Sequence, residues 1–263
     1  MERTSREPAG AGVVGVVGAR GGAGATVTAA ALAAELARRG TTVLVETGPG
    51  PSVDTALGLE AHPGLRWPDL TGAIGSVDAA LLAGNLMRWR RCAVLPTDDA
   101  RPGPPPDEVV PDVLGALSVA HTSVVLDLDR SAVLGAGPTA GPVAEHPADP
   151  DRGADDGVPP HGGTLLVACR TVLVVVPRDV PAVAGARLLR ALLVAPGRRV
   201  GLVTRGPAPG GLTDADVARA VGLPVVASLP RVRGLGGALD RGVGPVLPPV
   251  AARAVSRLAR RLT

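Results

Sequence analysis

The sequence predicts an α/β fold, a mostly parallel sheet with helices on both faces. Three observations predict it. Short runs that are apolar at every residue, without inside–outside alternation, recur along the chain, as buried parallel strands require. Helical stretches rich in Ala, Leu and Arg separate them. The first apolar run, Val13 to Val17, opens into Gly18-Ala19-Arg20-Gly21-Gly22-Ala23-Gly24, and an Ala/Leu-rich helical segment follows from Thr26. Strand, glycine loop and helix in that order form an anion cradle, in which main-chain N–H groups and a helix N-terminus face negative charge.

The elements follow in order. Thr26 to Arg39 reads as a helix whose last-turn cations and Gly40 mark its end. Thr42 to Val45 reads as a strand ending at Glu46, and Thr47 to Asp54 is too rich in Gly and Pro for regular structure. Thr55 to Glu60 has length for one or two helical turns. Leu65 to Leu70 is a loop with Trp67 as its aromatic anchor. Asp78 to Met87 reads as a helix, Cys92 to Leu95 as a strand, and Asp107 to Leu117 as a helix with Pro111 in its first turn. Thr122 to Leu126 is a strand that delivers Asp127. From Thr171 the alternation is clean: strands at 171–176, 199–203 and 223–227, helices at 180–194, 213–221 and 250–262. Thr213 and Asp214 suit a helix N-cap and first turn.

Two regions fall outside this alternation. Residues 1–11 are polar and read as a flexible arm ahead of a single domain over 12–263. Residues 129–163, dominated by Gly, Pro, Asp and His, read as a disordered insertion that buries too little to offset its ordering entropy. Its His and Asp residues lack the fixed spacing of a metal site.

Composition narrows the function classes. The 27 basic residues are all arginine and nearly balance 24 acids, so the pI of about 9.9 argues weakly for nucleic acid. Phe and Tyr are absent and Trp occurs twice, which leaves almost nothing to stack bases. Cys92 and Cys169 have no metal spacing and read as free thiols of a reducing compartment. The chain has no export signal and no apolar run of spanning length, so a cytoplasmic protein is expected.

Laid against G-x-x-x-x-G-K-[ST], the loop matches from Gly18 through Gly24 to Thr26, with Ala25 where the phosphate-binding Lys belongs. Arg20 is the one cation within it. Thr26 is placed to offer its hydroxyl to Mg²⁺, or to serve as a plain cap, and Asp127 is placed to hold the same ion.

Arg20-Gly21-Gly22-Ala23-Gly24-Ala25-Thr26 resembles the deviant Walker A of the ParA/MinD ATPases with both lysines replaced, and within them the CpaE/TadZ branch. Val124 to Arg130 is similar to that branch's Walker B strand, with Asp129 in place of a proline. Residues 174–189 and 212–230 are similar to its later strand and helix segments. Leu65-Arg66-Trp67-Pro68-Asp69-Leu70 and Val77-Asp78-Ala79 resemble the CpaE homologues of helicase/secretion neighbourhoods, also called septum site-determining proteins. Relatives often carry an N-terminal receiver-like domain; this chain starts too late to hold one, so the domain is expected either to be lost or to lie upstream of an internal start.

The resemblance implies ATP and Mg²⁺ as cofactors, held by Arg20 to Val27 on the phosphate side and by Thr204, Arg205 and Pro230 on the base side. It places Glu46 at the first acid of a switch strand and Gly48 at the second, with Asp54 as a substitute carboxylate. It implies a homodimer, addressed to septum or pilus/secretion machinery. Losing the lysine's charge-assisted hydrogen bond costs about 1.5–3 kcal/mol of binding and on the order of 10²–10³ in rate. Weak ATP binding with little or no ATPase activity is therefore expected. Two alternatives stay open, a slow ATPase with Arg20 acting in trans across a dimer and a scaffold that binds no nucleotide. The final helix sets Arg253, Arg257 and Arg260 opposite Val250, Ala254, Val255, Leu258 and Leu262, a stripe suited to packing on the sheet or to peripheral contact with a membrane.

Overall fold

The computed structural model describes residues 12–136 and 161–263. Among these, eight strands form one sheet: β1 (Gly12–Gly18), β2 (Thr42–Glu46), β3 (Met87–Trp89), β4 (Cys92–Leu95), β5 (Ser123–Leu128), β6 (Thr171–Pro177), β7 (Arg199–Arg205) and β8 (Val225–Leu229). Their order is β3-β4-β2-β5-β1-β6-β7-β8, and every pairing is parallel except β3 with β4. The predicted α/β class is the observed one. β3 was not read from the sequence, because three residues ending at Trp89 give no periodicity to detect.

Helices cover both faces. One face carries α1 (Ala25–Leu36), α2 (Val53–Leu57) and α10 (Pro249–Leu262). The other carries α3 (Ala79–Asn85), α4 (Val110–Ala120), α5 (Arg130–Gly135), α6 (His161–Ala168), α7 (Val180–Leu193) and α8 (Asp214–Val221). A short α9 (Leu235–Leu239) precedes α10. β1, β2 and β5 are buried almost throughout, which explains their unbroken apolar sequences. α1 is apolar all round because it lies between the sheet and α10. It ends at Leu36, earlier than its sequence suggests; Arg38 and Arg39 turn back to Glu35, and the Gly40 N–H closes on the Leu36 carbonyl.

The insertion expected at 129–163 is regular at both ends. Asp129 caps α5 through the Ala132 N–H, and residues 161–168 are helical. The His and Asp residues between 137 and 160, and the arm at 1–11, lie outside the described residues. The start of α2 at Val53 likewise extends regular structure into the 47–54 stretch read as loop.

The last helix settles where its stripe goes. Ala251, Val255, Leu258 and Ala259 are buried against α1 and β8, while Arg253, Arg257 and Arg260 face outward. Among the described residues no helix is long and apolar enough to cross a membrane.

Candidate functional site

In a parallel sheet the carboxyl ends of the strands share one edge, so β1, β2 and β5 bring their terminal loops together. Glu46 and Asp127 are register partners at the ends of β2 and β5. A cleft of about 1000 Å³ opens beside them, floored by Gly21 to Thr26, walled by Gly48 to Val53 with Thr55 and Ala56, and bounded by Asp127 to Arg130 and by Leu239 to Gly242. The far wall is fixed by a close approach: a side chain at Gly58 would lie 2.0 Å from the Gly242 carbonyl oxygen.

The loop has the shape of a cradle. Nothing stands within 4 Å of the Cβ position of Gly21, and only the edge of Arg20 approaches that of Gly22. Gly24 turns the chain into α1 at φ +85°, a left-handed conformation that glycine adopts without strain. The amides of the following first turn lack intrahelical partners, as at any helix N-terminus. Ala25 lines the cleft with a methyl group where a lysine would have supplied charge.

The Thr26 side chain hydrogen-bonds to Asp127, and both line the cleft. Burial drives the Asp127 carboxyl up to about 7, the Thr26 side-chain hydrogen bond opposes that rise, and the charges of Glu46 and Asp129 add to it. Among the described residues no three acidic, His or Cys side chains cluster to hold a metal, so the protein's own ligands for a hard divalent cation here would be Asp127 and the Thr26 hydroxyl. The residues present thus fit Mg²⁺.

Arg20 is not free in the loop. Its Nη2 lies 2.7 Å from Asp179, and its Nη1 donates to the Gly21 carbonyl at 2.9 Å. Asp179 also caps α7 through the Ala182 N–H at 2.8 Å, so one carboxylate holds both the loop and the helix start.

The two catalytic candidates are hydrogen-bonded within the fold, Glu46 in the wall of the cleft and Asp54 outside it. Glu46 accepts the Val53 N–H at 3.0 and 3.1 Å, the Thr97 N–H at 2.9 Å and the Thr97 hydroxyl at 2.8 Å. Desolvation raises its pKa against those bonds, and it works as the anchor of α2. Asp54 is 3% exposed, accepts from Nε and Nη2 of Arg66 at 3.0 and 2.8 Å, and does not line the cleft. It is neither the exposed loop acid nor the substitute switch carboxylate that the sequence suggested. The aromatic anchor holds: the Trp67 indole N–H donates to the Glu46 carbonyl at 2.7 Å.

The expected base-side residues do not form an open pocket. Thr204 is fully buried and its hydroxyl donates to Asp214 at 2.7 Å. Arg205 reaches across to the Ala23 carbonyl at 2.6 Å, and Pro230 and Val27 border the same small void.

Three cleft residues were missed. Arg130 donates from Nε to the Ala19 carbonyl at 3.2 Å and lines the cleft with Asp127. Its place three residues beyond Asp127 was a usable signal. Asp240 and Arg241 reach the cleft from the turn that follows the short α9, which has no sequence periodicity, and only packing brings them there.

No family model matches the chain. Two uncharacterized proteins of Mycobacterium tuberculosis, from strains CDC 1551 and H37Rv, are 35% identical over 219 residues, 82% of this chain and 54% of theirs. The chain therefore spans about half the length of these relatives. Among solved structures, a ParA family ATPase from Chlorobium tepidum superposes with a TM-score of 0.71 at 16% identity, over 96% of this chain and 98% of that one. MinD in the MinC:MinD cell division complex of Aquifex aeolicus gives 0.67 at 18%, over 95% of each chain. The septum site-determining protein MinD of Pyrococcus horikoshii, complexed with Mg-ADP, gives 0.65 at 13%, over 95% of each. The sheet order and flanking helices thus match the MinD/ParA P-loop ATPase fold.

Proposed function

We propose that this chain, with the fold of the MinD/ParA P-loop ATPases, is a CpaE-like positioning or regulatory protein of septum or pilus/secretion machinery. It binds Mg-ATP weakly and hydrolyses it little. The observation that carries this reading is an open glycine cradle above Thr26 and Asp127 with Ala25, not a cation, at its centre. Residues 12–263 act as one P-loop domain. Gly21 to Thr26 receive the phosphates through main-chain amides, and Thr26 and Asp127 hold the metal. Mg²⁺ bound there would supply the charge that the missing lysine does not. Arg130 and Arg241 line the cleft among the carboxylates of Glu46, Glu60, Asp127, Asp129 and Asp240, whose charge a bound Mg²⁺ would offset.

Slow turnover follows from the same geometry. Glu46 spends its lone pairs on Val53 and Thr97, and Asp54 on Arg66, so neither is placed to orient a water. The alternative of Arg20 acting in trans across a homodimer requires it to leave Asp179, which weighs against that reading. Any membrane contact falls to the outward arginines and the exposed Val250 of α10, since Val255 and Leu258 are spent on the core.

Isothermal calorimetry with and without Mg²⁺, beside single-turnover hydrolysis, tests the proposal. Mg²⁺-dependent binding with turnover at least 10²-fold below the Ala25→Lys variant is the expected result. Brisk phosphate release from the native chain would overturn it.

A further inference from the structure

We infer that Arg130 supplies, from the wall of the cleft, the side-chain charge toward the phosphate chain that Ala25 does not. This rests on the phosphate-cradle reading above and names the cation of that site.

Arg130 is the first residue of α5, and its place is fixed from two sides. The fully buried Thr47 donates its hydroxyl to the Asp127 carbonyl at 2.9 Å and accepts the Asp129 N–H at 3.1 Å, which pins the chain as it leaves β5. Asp129 then caps α5 through the Ala132 N–H at 2.8 Å, so its carboxylate serves the helix start. From there the Arg130 side chain spans to the glycine loop, where Nε donates to the Ala19 carbonyl at 3.2 Å. Ala19 is itself fully buried and donates its N–H to the Val175 carbonyl at 2.9 Å, so the acceptor is held in place. A guanidinium carries five N–H donors in one plane. Anchoring the Nε on Ala19 leaves both Nη groups, which meet no acceptor among the described residues, on a residue that lines the cleft. A fork held in this way suits phosphate oxygens.

The other cations near the loop are engaged. Arg20 is on Asp179 at 2.7 Å. Arg205 holds the Ala23 carbonyl at 2.6 Å and does not line the cleft. Arg241 stands on the far wall and folds back over α9, with Nη1 3.4 Å from the Cβ position of Gly237. Arg130 alone among these four is both anchored to the cradle and open to a ligand. It also lies three residues beyond Asp127 and grips the residue that opens the loop, opposite the end at which Gly24 enters α1. Metal ions contact the β- and γ-oxygens of a nucleotide, so a cation at the Asp127 end of the cradle meets the terminal phosphate. ATP should feel its loss more than ADP.

Calorimetry on the intact chain with Mg²⁺ and either ATP or ADP, for the native, Arg130→Ala and Arg130→Lys proteins, tests the inference, with thermal melts beside it. Arg130→Ala should weaken ATP binding about tenfold or more and ADP binding less than about threefold. Its Tm should fall by no more than about 4 °C, as loss of the one bond to Ala19 allows. Arg130→Lys, which keeps the charge without the fork, should recover part of the ATP affinity. A folded Arg130→Ala chain that binds ATP as the native one does would overturn the inference while leaving the cradle intact. Equal losses for ATP and ADP would overturn it as well, since a loop that has lost its shape weakens both alike. A lysine variant no better than alanine would show that charge is not what Arg130 supplies. A native chain that binds neither nucleotide would instead remove the cradle reading, and this assignment with it.

Discussion

Arg20 and Asp179 form an ion pair at 2.7 Å that ties the glycine loop to the first turn of α7. Asp179 thereby neutralises the one cation in the loop, and the pair holds its pKa below the usual carboxylate range. Asp179→Asn keeps an oxygen to cap α7 but releases the charge. An affinity gain of about two- to fivefold for Mg-triphosphate is expected, shrinking as salt rises. Titrations at two ionic strengths check it; weaker binding would show that the pair is needed to shape the loop.

Ala25→Lys restores the cation that the cradle lacks. The gain should be about one to two decades in affinity for ATP, the equivalent of about 1.5–3 kcal/mol. Calorimetry on native and variant chains at the same Mg²⁺ concentration reads it directly. An unchanged constant would mean that no phosphate reaches the start of α1.

Asp127 carries a pH signature. Its folded-state pKa of about 7 lies above the unfolded value near 3.9. Between those values the folded state binds the extra proton, so stability falls as pH rises from about 4 to about 7 and stays low above. Asp127→Asn should abolish this fall and raise Tm at pH 8 by several degrees. Mg²⁺ should raise the native Tm at pH 8 and have little effect at pH 5. Thermal melts across that range test both, and a Tm that climbs from pH 4 to pH 7 would contradict the assigned sign.

Gly24→Ala meets two obstacles, a φ of +85° and the Arg205 guanidinium at 1.8 Å. The left-handed backbone alone costs about 1–2 kcal/mol, and the collision must also displace Arg205. Loss of triphosphate binding with a Tm drop of a few degrees is expected, read by calorimetry and circular dichroism.

Glu46→Ala tests the structural role assigned to that acid. Removing it strips partners from the buried N–H groups of Val53 and Thr97, at a cost on the order of 3 kcal/mol or more. A chain of this size should then melt roughly 6–12 °C lower. A variant with native stability but lost hydrolysis would return Glu46 to catalysis.

The sequence by itself determined the layered α/β fold, the glycine cradle, the absent lysine and the place of Asp127 near a strand end. Each of these is local: buried strands are apolar at every residue, a left-handed turn demands glycine, and a strand end places its last acid at the sheet edge. The tertiary structure alone decided what each charge faces. Arg20 finds Asp179 across 159 positions, Arg205 finds Ala23 across 182, and Glu46 finds Thr97 across 51. A carboxylate or guanidinium looks the same in the chain whether it meets solvent, a ligand or a buried partner. Only the packing of α7, α10 and the strand ends, driven by apolar area and indifferent to those charges, fixes which of these it meets.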